Sequence, residues 1–406
     1  MGTAGAASIL AARLLGPQGR GQLAAIVVWV ALAATLGDLG ISQACSYYSA
    51  KRPREAGMIT GTAIALSIAA AAILLALFQP FGSRIFGREL AGAARFYLFS
   101  VPVSMATTCL TTMMLGLGYF RRFNLIKMVQ AAGYLAGIGS AWAMGSADVG
   151  GILNGILFFQ VVAAVAALCC AVTVVPFATW GASVAMAREL LSYGFRTYAG
   201  NLFWLANGRL DQALLAWLAP IQDLGVYAVA VSYSGLLFGI SGAVATVTFS
   251  RAARARSVEA GRLELWRGLR LLGALTLPLA AVMAWLSRYA ITTVYGKAFA
   301  DACLPANILL LGGLFLGVNY VSSNCMRADG RPGSPGLAEA GGLIVTVAAL
   351  PFAIPRWGIT GAAWVSVASY AVTAVTLAVL WMLRGASLPG RCPAPQPAAL
   401  CRQVTP

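Results

Sequence analysis

The sequence contains no histidine, and only 12 Asp and Glu stand against 28 Lys and Arg in 406 residues. Without imidazole, Ser-His-Asp triads, His-ligated zinc sites and HExxH chemistry are excluded by composition. The eight cysteines form no C-x-x-C pair. Most lie in apolar runs, where Cys behaves as a small hydrophobe, so neither a disulfide framework nor a metal site is expected. Charged residues make up only 10% of the chain, against about 25% in soluble proteins. The start lacks the basic segment and Ala-x-Ala site of a cleaved signal peptide. No catalytic residue, cofactor or metal is expected, and the chain is not read as an enzyme.

What remains is apolar. Hydrophobic residues account for 60% of the sequence and the mean hydropathy is +0.80, the profile of an all-α integral membrane protein. Each spanning helix needs about 20 apolar residues. Runs of that kind cover residues 2–15, 23–47, 58–78, 96–117, 128–144 and 150–175, then 195–218, 224–248, 268–294, 305–326, 337–354 and 359–383. Twelve transmembrane helices are therefore expected.

The net charge of +16 reads as topology rather than affinity for nucleic acid, because basic residues concentrate in cytoplasmic loops. Loops after even-numbered spans hold most of them, including Lys51, Arg52, Arg54, Arg121, Arg122, Lys127 and the arginines of 250–267. Both termini are thus expected on the cytoplasmic side. The stretch 250–267 reads as an interfacial amphipathic segment. The Pro-rich tail 384–406 is expected to be disordered.

Two turns echo each other. Leu15-Gly16-Pro17-Gln18-Gly19-Arg20-Gly21 and Leu218-Ala219-Pro220-Ile221-Gln222-Asp223-Leu224-Gly225 both run from Leu through a small residue and Pro to Gly and a new apolar helix. Gly16, Pro17, Gly21, Pro220 and Gly225 are the structural turn residues. The repeat divides the chain into an N-terminal six-helix bundle (1–175), a cytoplasmic linker (176–194), a C-terminal six-helix bundle (195–383) and the tail (384–406). Because six is even, the halves run parallel, as two bundles around a central cavity in an alternating-access carrier.

These turns, with Leu39-Gly40-Ile41-Ser42-Gln43-Ala44, Arg209-Leu210-Asp211-Gln212-Ala213-Leu214-Leu215 and Leu224-Gly225-Val226-Tyr227-Ala228-Val229-Ala230, resemble the Wzx-type oligosaccharide and polysaccharide flippases. That family belongs to the multidrug/oligosaccharidyl-lipid/polysaccharide (MOP) exporter superfamily. The resemblance extends over all twelve expected spans, although the first helix is shorter than is usual in the family. It implies a bacterial plasma (inner) membrane protein that moves an undecaprenyl-pyrophosphate-linked oligosaccharide to the outer leaflet for surface polysaccharide biosynthesis. The partners it implies are the lipid-linked oligosaccharide, membrane lipids and polysaccharide polymerases. A multidrug extruder or a lipid II flippase of the same superfamily is the alternative. A membrane polysaccharide polymerase or ligase fits less well, because no long outer loop and no histidine are present.

Pyrophosphate in hydrocarbon demands fixed positive charge, and arginine binds phosphate oxygens bidentately. The substrate-binding candidates are Arg13, Arg209, Asn207 and Arg196. Arg13 reads equally as an interfacial residue, and Arg196 as a topology charge. Arg20, in the turn itself, reads as structural. Asn207 and Asp211, four residues apart, share a helix face, so Asn207 is placed to hydrogen-bond that carboxylate. Asp38, flanked by Gly37 and Gly40, and Asp211 are the candidates if transport is coupled to protons or sodium; each reads also as an internally bonded structural acid. Phe203, Trp204, Tyr227 and Tyr233 suit sugar stacking or packing alike.

Overall fold

The computed structural model describes residues 2–78, 92–146, 148–255, 257–329, 331 and 333–383; the expected tail 384–406 lies outside them. Among the described residues the architecture is helical, without strands. In chain order the helices are α1 (Gly2–Asp38), α2 (Ile41–Lys51), α3 (Ala56–Phe78), α4 (Ser100–Gly116), α5 (Phe120–Ala143) and α6 (Val149–Val172). They continue as α7 (Val184–Leu218), α8 (Ile221–Ser234), α9 (Leu236–Ala253), α10 (Val258–Val294), α11 (Cys303–Ala328) and α12 (Gly333–Met382).

Several of these labels do not coincide with the expected spans, for local reasons. Helix α1 carries the first two spans, joined at one residue, Gly16, with φ 63° and ψ −175°. Only glycine enters that region without a Cβ penalty, and Pro17 starts the next helical segment, where its missing N–H costs nothing. Helix α12 joins the last two spans in the same way at Gly358, φ 56°. The second span is itself interrupted at Leu39 and Gly40, both with positive φ, so that α2 continues after a break. The stretch expected as linker is partly regular: α7 already starts at Val184 and runs on unbroken to Leu218. Before it, Thr62 of α3 accepts from the Ser183 N–H at 3.2 Å, which docks the connection on the first half.

Eight helical stretches are long and apolar enough to cross a membrane: 5–38, 53–77, 92–116, 149–172, 221–253, 259–294, 297–328 and 333–382. Helices α5 and α7 are not among them. The first opens on Arg121, Arg122 and Lys127, and the second carries Arg188, Glu189, Arg196, Arg209 and Asp211.

The two echoing turns pack against each other. A Cβ on Gly21 would stand 1.8 Å from the Ile221 carbonyl oxygen, and one on Gly225 would stand 1.9 Å from that of Pro17. Backbone therefore touches backbone at this end of the molecule. The surrounding core draws on both halves, with Leu23 and Ile26 of α1 beside Leu224, Tyr227 and Val229 of α8. The segment from Pro17 to Asp38 rises about 33 Å at 1.5 Å per residue, close to the hydrocarbon thickness of a bilayer. At its far end a second close approach occurs, where a Cβ on Gly40 would lie 2.5 Å from the Gly194 oxygen and one on Gly194 2.6 Å from that of Leu39. There Tyr47 stacks on Tyr193 at 4.4 Å and Arg52 pairs with Glu189 at 3.0 Å, a contact that raises the Arg52 guanidinium above its ordinary value.

Candidate functional site

The long polar helix α7 organises the second half. Its residues Asn207, Arg209, Asp211 and Gln212 line a cavity of about 300 Å3 closed by α8, α9, α11 and α12. Asp211 is 3% exposed, and its carboxylate accepts from the Tyr227 hydroxyl at 2.6 Å, the Ser366 hydroxyl at 3.2 Å and the Gln212 N–H at 2.7 Å. A buried carboxylate is tolerated only with such partners. Tyr227, wholly buried, comes from the Leu-Gly-Val-Tyr segment after the second turn, so the two motifs of the second half meet at this bond.

Asn207 does not bond Asp211, contrary to the expectation from their shared helix face. Its amide nitrogen donates to Glu339 at 3.2 Å, and its oxygen accepts from Thr346 at 2.9 Å and from the Ser369 hydroxyl. The partners lie on α12, and Asn207 thereby ties α7 to both arms of that helix. The sequence reading missed Glu339. It stands two residues inside the start of an apolar run, where a lone acid looks like an end charge, yet it is 7% exposed. Glu339 also lines an adjoining cavity of about 170 Å3 together with Arg327. Asp211 and Glu339 thus share one cavity wall.

Arg209 lines the same cavity and is exposed there. Among the described residues the ion pairs are Arg52 with Glu55 and Glu189, and Arg267 with Glu264; Arg209 takes part in none. Arg20 of α1 does not line this cavity. Arg20 donates to the Ser8 hydroxyl at 3.4 Å, while its buried Nε has no hydrogen-bond partner. Among the described residues neither arginine takes part in an ion pair. Arg20 was expected to be structural because it sits in a turn; the fold turns it inward.

The other candidates lie apart. Arg13 donates through Nε to the Val294 oxygen at 2.7 Å and through a terminal nitrogen to that of Thr293 at 2.5 Å. It caps α10, whose last carbonyls lack helical partners and attract positive charge. Arg196 is exposed on α7 and belongs to neither cavity wall. Asp38 accepts from the Ser42 N–H at 3.3 Å and from its hydroxyl at 2.8 Å, which covers the start of α2 after the break at Gly40. Its carboxylate borders a separate cavity of about 470 Å3 in the first half, and so it is not brought together with Asp211. Tyr233 is buried and donates to the Met283 oxygen at 2.7 Å, whereas Trp204 lines both second-half cavities.

Against known proteins, residues 9–304 match the family model described as polysaccharide biosynthesis protein. The chain belongs to this family. No curated protein matches its sequence at a significant level. Among solved structures, it resembles the lipid II flippase MurJ in an inward closed conformation, with TM-score 0.78, 17% identity and coverage of 94% of this chain and 85% of that one. It also resembles a multidrug resistance MATE family transporter of the MOP superfamily in its inward-facing conformation, with TM-score 0.75, 15% identity and 94% of each chain covered. Against an outward-facing structure of a MATE family transporter the TM-score is 0.65 at 15% identity, with 94% of this chain and 93% of that one covered. This member of the polysaccharide biosynthesis family thus has the MOP exporter fold and is a multi-pass membrane protein. The proteins that share its fold are transporters rather than enzymes.

Proposed function

We propose that the chain is a flippase that carries a pyrophosphate-linked oligosaccharide lipid from the cytoplasmic to the outer leaflet of a bacterial inner membrane. Alternating access between its two halves drives the transfer. The observation that carries this reading is Arg209, an exposed guanidinium in the wall of the second-half cavity with no ion-pair partner among the described residues. A polyanion supplies the partner that Arg209 lacks. Family membership supplies the sugar-linked context.

The one-residue turns at Gly16 and Gly358, with polar helices α5 and α7 counted as crossings, give the twelve spans of this reading, with both termini cytoplasmic. The Gly21–Gly225 interlock then marks the outer face, closed in this structure. Asp211, together with Asn207 and Glu339, is the candidate for coupling to protons or sodium, and Asp38 is a second. Phosphate binding falls to Arg209 and Arg20 rather than to Arg13, which α10 occupies, while Arg196 would meet the substrate only on arrival from the cytoplasm. A drug extruder would share the fold, but unpaired arginines repel cationic drugs.

The reading is tested by deleting the gene. Lipid-linked oligosaccharide should accumulate in the cytoplasmic leaflet with its glycan unchanged. Undiminished export in that strain, with no second flippase present, would contradict it.

A further inference from the structure

The first-half cavity differs chemically from the second. Its volume of about 470 Å3 falls within the range of about 300–1,000 Å3 typical of small-molecule sites. No Lys or Arg lines it, and Asp38 is its one charged side chain. Hydroxyl, amide and tyrosine groups, including Gln43, Ser100, Ser104, Tyr134 and Gln160, share the walls with an aliphatic strip of α1 that includes Val27 and Val30.

Several of these groups turn acceptors to the cavity. Thr108 donates its own hydrogen back to the Ser104 carbonyl at 2.7 Å, and Ser104 does the same to Val101 at 2.9 Å. Their oxygens are left facing the cavity with lone pairs available. The Gln160 amide nitrogen reaches the Tyr97 hydroxyl at 3.5 Å, whereas its buried oxygen has no partner. Asp38 accepts from the Ser42 hydroxyl and N–H and from the Gly40 N–H, and a carboxylate accepts about four hydrogen bonds. A wall rich in acceptors and bearing a negative charge calls for a ligand rich in donors and without negative charge of its own. Phosphate fails on both counts, and a neutral polyhydroxylated ring meets both. Its apolar faces suit tyrosine rings such as that of Tyr134.

From this we infer that the first-half cavity is the subsite for an uncharged sugar of the head group, with Gln160 and Asp38 accepting its hydroxyls and Asp38 rejecting acidic sugars. The inference rests on the flippase reading, in which the two arginines hold the pyrophosphate. The head group then straddles the halves, with phosphates held on the arginines and sugar in the first half.

The test measures binding of three short-chain lipid pyrophosphates to the purified protein: one without sugar, one bearing glucose and one bearing glucuronic acid. Glucose should strengthen binding about tenfold over the sugar-free probe, and glucuronic acid should not. Q160A should remove that gain while leaving sugar-free binding unchanged, which doubles as the check that the variant folds. D38N should raise affinity for the glucuronosyl probe toward that of the glucosyl one. If Q160A and D38N leave all three affinities as they are, the subsite is refuted while the flippase reading stands. Failure of the wild type to bind the sugar-free probe refutes that reading instead. Tight binding of tetraphenylphosphonium that D38N abolishes, with no glucose gain, would make the cavity a cation site and overturn the proposal.

Discussion

Arg209 and Asp211 are two positions apart on one helix and have opposite fates. Asp211 is buried and satisfied by Tyr227, Ser366 and a backbone N–H, while Arg209 is exposed and lines the cavity. A hydrogen bond to a charged group contributes about 1.5–3 kcal/mol, or roughly ten- to a hundredfold in affinity. R209Q and R20Q should each weaken binding of a sugar-free lipid pyrophosphate by that factor, measured on purified protein, whereas R13Q should not. Asp211 and Glu339 make a separate prediction. If they bind the coupling cation, D211N and E339Q should abolish stimulation of transport by an imposed sodium or proton gradient, with exchange at equilibrium retained. Stimulation that persists in both variants would remove them from coupling. The charged residues of α7 could be singled out from sequence because charge within an apolar run is costly. Their partners could not, since Asn207 finds its own on a helix more than 130 residues away.

At the scale of elements, the two turns were readable as turns, because Pro favours a helix start and, in the first, Gly16 takes the positive φ before Pro17. That they would close on each other was not readable, since nothing local in either turn specifies its contact. The interlock leaves no space for a side chain on Gly21 or Gly225. G21V should therefore hold the outer face open, and a cysteine placed at the exposed Gln222 should be labelled from outside several-fold faster in that background. Unchanged labelling would mean that the interlock is not the gate. The opposite end is tied differently, through the Tyr47–Tyr193 stack and the Arg52–Glu189 pair. Exposed pairs of this kind are weak and screened by salt, which suits the end that must release first to admit substrate.

Across the whole molecule, two cavities of unlike chemistry lie one mainly in each half, and α1 and α7 carry Arg20 and Arg209, which take part in no ion pair among the described residues. Composition alone limited the chain to a helical membrane protein, since no soluble chain carries so little charge. The repeat suggested a division into halves. The distribution of chemistry between the halves did not, because the first-half cavity is built from Ser, Thr, Gln and Tyr scattered over α1, α2, α4, α5, α6 and α7, residues that each look ordinary in a membrane helix. Transfer of a lipid-linked sugar by arginines shared between the halves is the central claim. The decisive measurement uses proteoliposomes carrying a fluorescent short-chain lipid pyrophosphate glucose, with a membrane-impermeant reductant added outside to bleach only the outer leaflet. Wild-type protein should expose the inner-leaflet pool, so that bleaching passes the half-way plateau of empty vesicles, and R20Q/R209Q should stop at that plateau. A wild-type protein that also stops there, or a double variant that bleaches as fully as wild type, would contradict the account.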